Sequence, residues 1–251
     1  ADEYIGLEIS DLLEIGSLLW QKGWAEANAG NVSLRFPDTL SGNTQALLKQ
    51  VIDSSSNYNG INIIDITWFL VSASGSRYRQ FKSRGFDNFV LIGIHQFKDN
   101  DLDKSEFICY PQTRKPTSEW QTHRLVQQWL SNNRSSDKVV MHTHLTDWIT
   151  LSNLPDYSID QGKFIKDLIK YLPELEIYLS NGIALTKYAP PGSATLALET
   201  LSAIHQSNAI IWEKHGVVVT AESINQAFDY IEVLSKAAAI YLSVSKSKSG
   251  S

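Results

Sequence analysis

Lys138-Val139-Val140-Met141-His142-Thr143-His144 is the stretch on which the reading of this chain turns. Its apolar run predicts a short buried strand over 138–141. If extended geometry continues, side chains two apart share one face, and His142 and His144 are aimed together. Two imidazoles held side by side at a strand end make half of a divalent-metal site. A third histidine, His215, follows a second strand-like run, Ala209 to Trp212, and precedes Gly216. Three neutral imidazoles that leave one position open form the pattern of a catalytic zinc rather than a structural one. Taken alone, the pair reads equally well as two ordinary core or surface histidines.

Working outward, helices and strands alternate along the whole chain. Leu12, Ile15 and Leu19, with Leu13 and Leu18 beside them, recur at spacings of three and four and predict a helix over 7–20. Val32, Leu34 and Phe36 alternate with Ser33 and Arg35, a strand pattern. Further strands are expected at 66–71, 89–94, 107–110, 175–179, 209–212 and 217–219. Helices are expected at 118–130, capped by Thr117 or Ser118 after Pro116, at 193–206 and at 223–244. The last opens with Ser223-x-x-Gln226, a capping box, and carries Ile224, Ala227, Phe228, Ile231, Leu234 and Ala238 along one face. Residues 245–251 are rich in Ser, Lys and Gly and are expected to form a disordered tail. With no repeat and no long linker, residues 1–244 are expected to form one α/β domain.

The bulk numbers exclude several classes. A net charge of -5 leaves no basic excess to neutralise phosphates, which argues against a nucleic-acid partner. No apolar run approaches the roughly 18 to 20 residues that span a bilayer, and no secretion signal is read at the start, so no membrane partner is expected. Cys109 is the single cysteine, so a cysteine metal cluster is excluded, and the expected location is a reducing cytoplasm. Asp99-Asn100-Asp101-Leu102-Asp103 resembles the start of a calcium loop. Its sixth position is Lys104 rather than glycine and its twelfth is Tyr110 rather than glutamate, so it is read as a solvated hairpin turn.

Two loops have the equipment to hold a phosphate without much positive charge. Asn28-Ala29-Gly30-Asn31 lies between a helix and a strand, and Ser72-Ala73-Ser74-Gly75-Ser76 follows the apolar run Trp68 to Val71. Both offer small residues, backbone N–H groups and side-chain amides or hydroxyls; each is also readable as a plain turn. Glu119, in the first turn of its predicted helix, is where a carboxylate often simply meets the helix dipole.

The order of these motifs is more specific than any one of them. Asn-x-Gly-Asn, Ser-x-Ser-Gly, Pro-Thr-Ser-Glu, Met-His-x-His and a distant His-Gly together resemble the class II aldolase/adducin family from about Gly23 to Tyr241. The resemblance implies a single-domain α/β/α sandwich with a central, largely antiparallel sheet flanked by helices. It also implies a homotetramer with intersubunit active sites and one Zn2+ per subunit, held by His142, His144 and His215. Glu119 carries over as the catalytic base, which in the family can also touch the metal when substrate is absent. Asn28, Asn31, Ser74 and Gly75 carry over to the phosphate site, with Gly30 shaping its loop and Ser118 beside it. Glu174 matches an acidic residue that a neighbouring subunit lends to the aldehyde end. Ala29 departs from the double glycine common in the family, and its methyl is expected to restrict the loop.

The long segment between Asn31 and Ser74, the long hairpin between Gly75 and Glu119 and the stretch from Lys138 to Thr146 narrow the implied activity. It is retro-aldol cleavage of L-rhamnulose 1-phosphate to dihydroxyacetone phosphate and L-lactaldehyde through an enediolate whose charge the metal offsets. Alternatives from the same resemblance are cleavage of L-fuculose 1-phosphate, 4-epimerisation of a pentulose 5-phosphate, and a non-catalytic scaffold like the adducin head. His95, His123 and His205 have no partner that the sequence names and are read as structural or surface residues. The seven tryptophans are read mostly as core, because large apolar rings dominate burial.

Overall fold

A computed structural model describes residues 2–54, 61–95, 97 and 108–249. Within them eight strands form one sheet: β1 (Asn31–Arg35), β2 (Ile66–Ser72), β3 (Phe89–His95), β4 (Ile108–Tyr110), β5 (Val139–Thr143), β6 (Ile183–Thr186), β7 (Ala209–Trp212) and β8 (Gly216–Ala221). Their spatial order is β4-β3-β2-β1-β5-β8-β7-β6. Neighbours run antiparallel except at the β6–β7 edge, which is parallel. The helices are α1 (Asp2–Gln21), α2 (Gly42–Asp53), α3 (Phe81–Arg84), α4 (Trp120–Asn133), α5 (Thr146–Leu151), α6 (Pro155–Ile159), α7 (Gln161–Tyr171), α8 (Glu174–Tyr178), α9 (Ala194–Ile204) and α10 (Ile224–Ser249).

The period-two alternation of the strands divides the core into two layers. On one face Val32, Leu34, Val139, Met141, Val217 and Val219 pack with Leu12 and Leu19 of α1 and Ile231 and Leu234 of α10. On the other, Val140, Ile210, Trp212 and Val218 meet Val126 and Leu130 of α4 and Leu196 and Ile204 of α9. The result is the expected α/β/α sandwich. Each fully buried Leu or Ile contributes about 1.5–3 kcal/mol, so β5 is clamped from both sides. Since Val140 faces α4 and α9, His142, two residues on, faces that side too.

Several expectations change in detail. Residues 175–178 lie in the helix α8 and Leu179 caps its C-terminus, so no strand forms there. Leu175 and Leu179 are the buried positions while Ile177 is exposed, and a spacing of four fits a helical face as well as it fits strand alternation. The terminal helix continues through Ser249, past the expected start of a disordered tail at 245. Lys and Ser carry only small helix penalties, and the first breaker is Gly250. At its start half of the expected capping box forms, the Gln226 N–H donating to Ser223 Oγ at 3.2 Å; Gln226 Oε1 accepts instead from Glu222 N, one residue before the cap, at 2.8 Å. The 118–130 helix begins at Trp120, with Glu119 rather than Thr117 or Ser118 at its cap. Trp20 is exposed, whereas Trp68, Trp148 and Trp212 are fully buried. The hairpin expected at Asp99–Asp103 lies outside the described residues. Among the described residues no helix is long and apolar enough to cross a membrane.

Candidate active site and metal centre

Where β1, β5 and the β7–β8 hairpin meet the start of α4, the sheet opens into a cavity of about 290 Å³. One wall is the loop Asn28–Asn31, a second Ser72–Ser76, a third Thr117–Glu119, with His142, His144 and His215 at the base. Every site residue expected from the sequence except Glu174 therefore lines one cavity. Glu174 instead borders a separate groove with Lys22, Trp24, Tyr178 and Lys236.

Local chain geometry explains how the histidines converge. His142 sits within β5, paired with Asn31 of β1 and Val218 of β8. Past the strand end, His144 N donates to Trp24 O at 2.8 Å and the Thr143 hydroxyl donates to the same carbonyl, which holds the chain extended for one more residue. His215 lies in the tight β7–β8 turn: its N–H donates to Trp212 O at 3.1 Å, and Lys214 takes a left-handed φ of 59°. Gly216 follows because a Cβ there would sit 2.4 Å from Thr143 O. The ring centroids are 4.8 Å apart for His142 and His215, and 5.1 Å for His144 from each of the others. Trp212 packs beneath, 4.5 Å from the His142 ring and 5.0 Å from that of His215.

The hydrogen bonds define which nitrogens remain for a cation. His142 Nδ1–H donates to Val217 O at 2.9 Å. A carbonyl can only accept, so Nε2 is a lone pair; it is buried and has no hydrogen-bond partner. His144 Nδ1–H donates to Glu26 Oε1 at 2.8 Å, which likewise frees its Nε2. The three residues offer donor atoms within 4.8 Å of one another. An orphaned buried lone pair among three imidazoles, each of the first two fixed from behind by an acceptor, fits a divalent metal. Burial, with His144 nearby, holds His142 well below the usual histidine range, and burial with His142 nearby pushes His215 down to about 3. Both stay neutral and able to ligate.

Glu26, which sequence reading missed, should tune this centre. Glu26→Ala is expected to weaken metal affinity about 10- to 100-fold without unfolding the chain, since its carboxylate is largely exposed. Competition with a metal-binding dye measures this, and equal affinity in the variant would remove Glu26 from the site.

Glu119 faces the same point. Its Oε2 lies 3.8 Å from His142 Nε2, and its Oε1 lies 3.5 Å from His215 Nε2. Although it caps α4, its side chain makes no cap hydrogen bond; it turns into the cavity and accepts from Asn31 Nδ2 at 2.8 Å. Asn31 thus gives one amide hydrogen to the carboxylate while itself lining the cavity. Gly30 shapes the loop as expected: its φ is 78°, and a Cβ would meet Tyr78 at 2.5 Å and His142 O at 2.8 Å. Ala29 is not in the left-handed region, so its methyl does not restrain the loop in the way expected. Among the described residues no Lys or Arg lines the cavity. An anion there would be met by amides, hydroxyls and the metal's own charge.

The Class II Aldolase and Adducin N-terminal domain family matches residues 10–242. The chain belongs to this family. It is 27% identical over 235 residues to a rhamnulose-1-phosphate aldolase of Bacteroides thetaiotaomicron, covering 94% of this chain and 85% of that protein. It is 26% identical over 242 residues to the rhamnulose-1-phosphate aldolase of Pectobacterium carotovorum. Among solved structures, a sugar-phosphate aldolase from Thermotoga maritima superposes with a TM-score of 0.75 at 26% identity, covering 96% of each chain. The L-fuculose-1-phosphate aldolase of Thermus thermophilus shares the fold, with a TM-score of 0.59 at 16% identity. As a class II aldolase, the chain is a lyase.

Proposed function

We propose that this class II aldolase cleaves L-rhamnulose 1-phosphate to dihydroxyacetone phosphate and L-lactaldehyde, using one Zn2+ held by His142, His144 and His215. The observation that carries this reading is the convergence of three imidazoles and one carboxylate, Glu119, at the base of a cavity walled by small polar loops. The substrate choice rests on the rhamnulose-1-phosphate aldolases to which the chain is similar over most of its length.

Each part of the site has a task. Asn28, Asn31, Ser74, Gly75 and Ser118 would take the phosphate through amide and hydroxyl donors, with Gly30 shaping the loop. When bound, the ion supplies Lewis acidity for the charge that develops on the ketose oxygens. Glu119 would hold and move the proton. In cleavage the hydroxyl beside the breaking C–C bond gives up its proton as the aldehyde forms, and the Glu119 carboxyl gives one to the carbon that the aldehyde leaves; in condensation its carboxylate removes that proton and the new hydroxyl regains one. Among the described residues no lysine lines the cavity to form an imine, which sets this route apart from Schiff-base aldolases.

We further place the enzyme in the cytoplasm as a homotetramer, with Glu174 of a second copy at the aldehyde end. Its position away from this chain's own cavity supports such a role. The test is release of dihydroxyacetone phosphate from L-rhamnulose 1-phosphate against L-fuculose 1-phosphate. A preference for the second would keep the chemistry and correct the substrate.

A further inference from the structure

Behind Glu119 lies a row of buried polar side chains, of which the chemistry above uses only Asn31. Asn31 and Ser33 occupy alternate positions of β1, so both point toward α4, away from Val32 and Leu34. His123 and Gln127 of α4 are one turn apart and face them. Gln127 Nε2 donates to Lys138 O at 2.9 Å and to Ser33 Oγ at 3.1 Å. Ser33 Oγ lies 2.9 Å from His123 Nδ1, and His123 Nε2 lies 2.5 Å from Asn31 Oδ1. Asn31 Nδ2 then reaches Glu119 Oε2 at 2.8 Å. Ser33, His123 and Gln127 are all at most 1% exposed.

Chemistry gives this row a single direction. An ionised carboxylate only accepts, so Asn31 must turn its NH2 to Glu119 and its Oδ1 to His123. That oxygen also only accepts, so His123 carries its proton on Nε2 and leaves Nδ1 as a lone pair. Ser33 Oγ, already accepting from Gln127, has its own hydrogen for that lone pair. All the links therefore donate toward Glu119. Burial pushes His123 down to about 4, the nearby Glu119 opposing this only in part, so a neutral ring is what the site holds near neutrality. A row that only filled space would be no less stable as apolar side chains of similar volume. This one ends on Glu119, whose two carboxylate oxygens face His142 and His215.

We propose that His123 is a positioning residue: as the Nε2–H tautomer it locks the Asn31 amide, which holds Glu119 Oε2 and leaves Oε1 as the oxygen that carries the proton. This rests on the reading of Glu119 as the base. Without His123 the amide can rotate, and an oxygen facing the carboxylate would repel it.

The test uses metal-loaded enzyme and three variants, His123→Phe, His123→Gln and Glu119→Gln. Turnover is measured alongside exchange of the dihydroxyacetone phosphate methylene proton with deuterated water in the absence of aldehyde, which reads the proton step alone. His123→Phe should lower kcat and the exchange rate together by about 10- to 100-fold, the usual range for removing a hydrogen-bonded support. KM and metal content should stay unchanged. His123→Gln, which keeps an N–H donor near the Nε2 position, should restore most of both rates. Full kcat and exchange in His123→Phe, with Glu119→Gln impaired, would overturn the inference and leave the base standing. Full rates in Glu119→Gln would overturn the base reading itself. Nitrogen-15 spectra of histidine-labelled wild-type enzyme provide a check that needs no variant: a His123 ring found as the Nδ1–H tautomer or as imidazolium at neutral pH would also overturn the inference.

Discussion

His142→Ala should lose metal and activity together. The other two histidines leave a two-imidazole site, too weak to keep an ion against buffer. A bound ion would offset several kcal/mol of developing charge, so turnover should fall by about a thousandfold or more. The side chain is also buried, and its loss removes the hydrogen bond it gives Val217 O. That stability penalty is about 1–3 kcal/mol, tolerable for a chain of this size, and circular dichroism would separate it from unfolding. Metal analysis of the purified variant decides the point: a full complement of ion would refute the ligand role.

Glu119→Gln should behave differently. The amide is nearly isosteric with the carboxylate but cannot accept or return a proton at neutral pH. Removing a positioned acid–base group costs about 10²- to 10⁴-fold in turnover. The three histidines remain, with His142 and His144 still fixed from behind by Val217 O and Glu26, so metal content should match the parent. The contrast between the two variants separates holding the ion from moving the proton. Parent-like turnover in Glu119→Gln would assign the proton to another group.

Much of this site is legible in the sequence because its residues sit in short, rigid motifs. His-x-His on a strand, His-Gly at a hairpin and the small polar loops each have a local geometry that one chain segment dictates. The pieces that escape reading depend on tertiary neighbours. His123 is a lone helical histidine whose partners, Asn31 and Ser33, are about ninety residues earlier and become visible only when α4 lies across β1. Glu26 is an exposed loop carboxylate until His144 arrives from the far side of the sequence. Among the elements, the short β6 gives little periodic signal at the sheet edge. By contrast α7, with its Asp160 cap and buried Phe164 and Leu168, carries the same signal that exposes α10. Leu175 and Leu179 satisfy both periods, and only packing settles them as a helix.

The proposed activity is metal-dependent aldol cleavage of a ketose 1-phosphate. Release of dihydroxyacetone phosphate should be followed with L-rhamnulose 1-phosphate and L-fuculose 1-phosphate, in the purified enzyme, after chelation, and after Zn2+ is restored. Release should favour L-rhamnulose 1-phosphate, be lost on chelation and return with zinc. Release that is indifferent to the chelator while the protein is demonstrably metal-free, or no release from either sugar by fully zinc-loaded enzyme, would contradict the proposal.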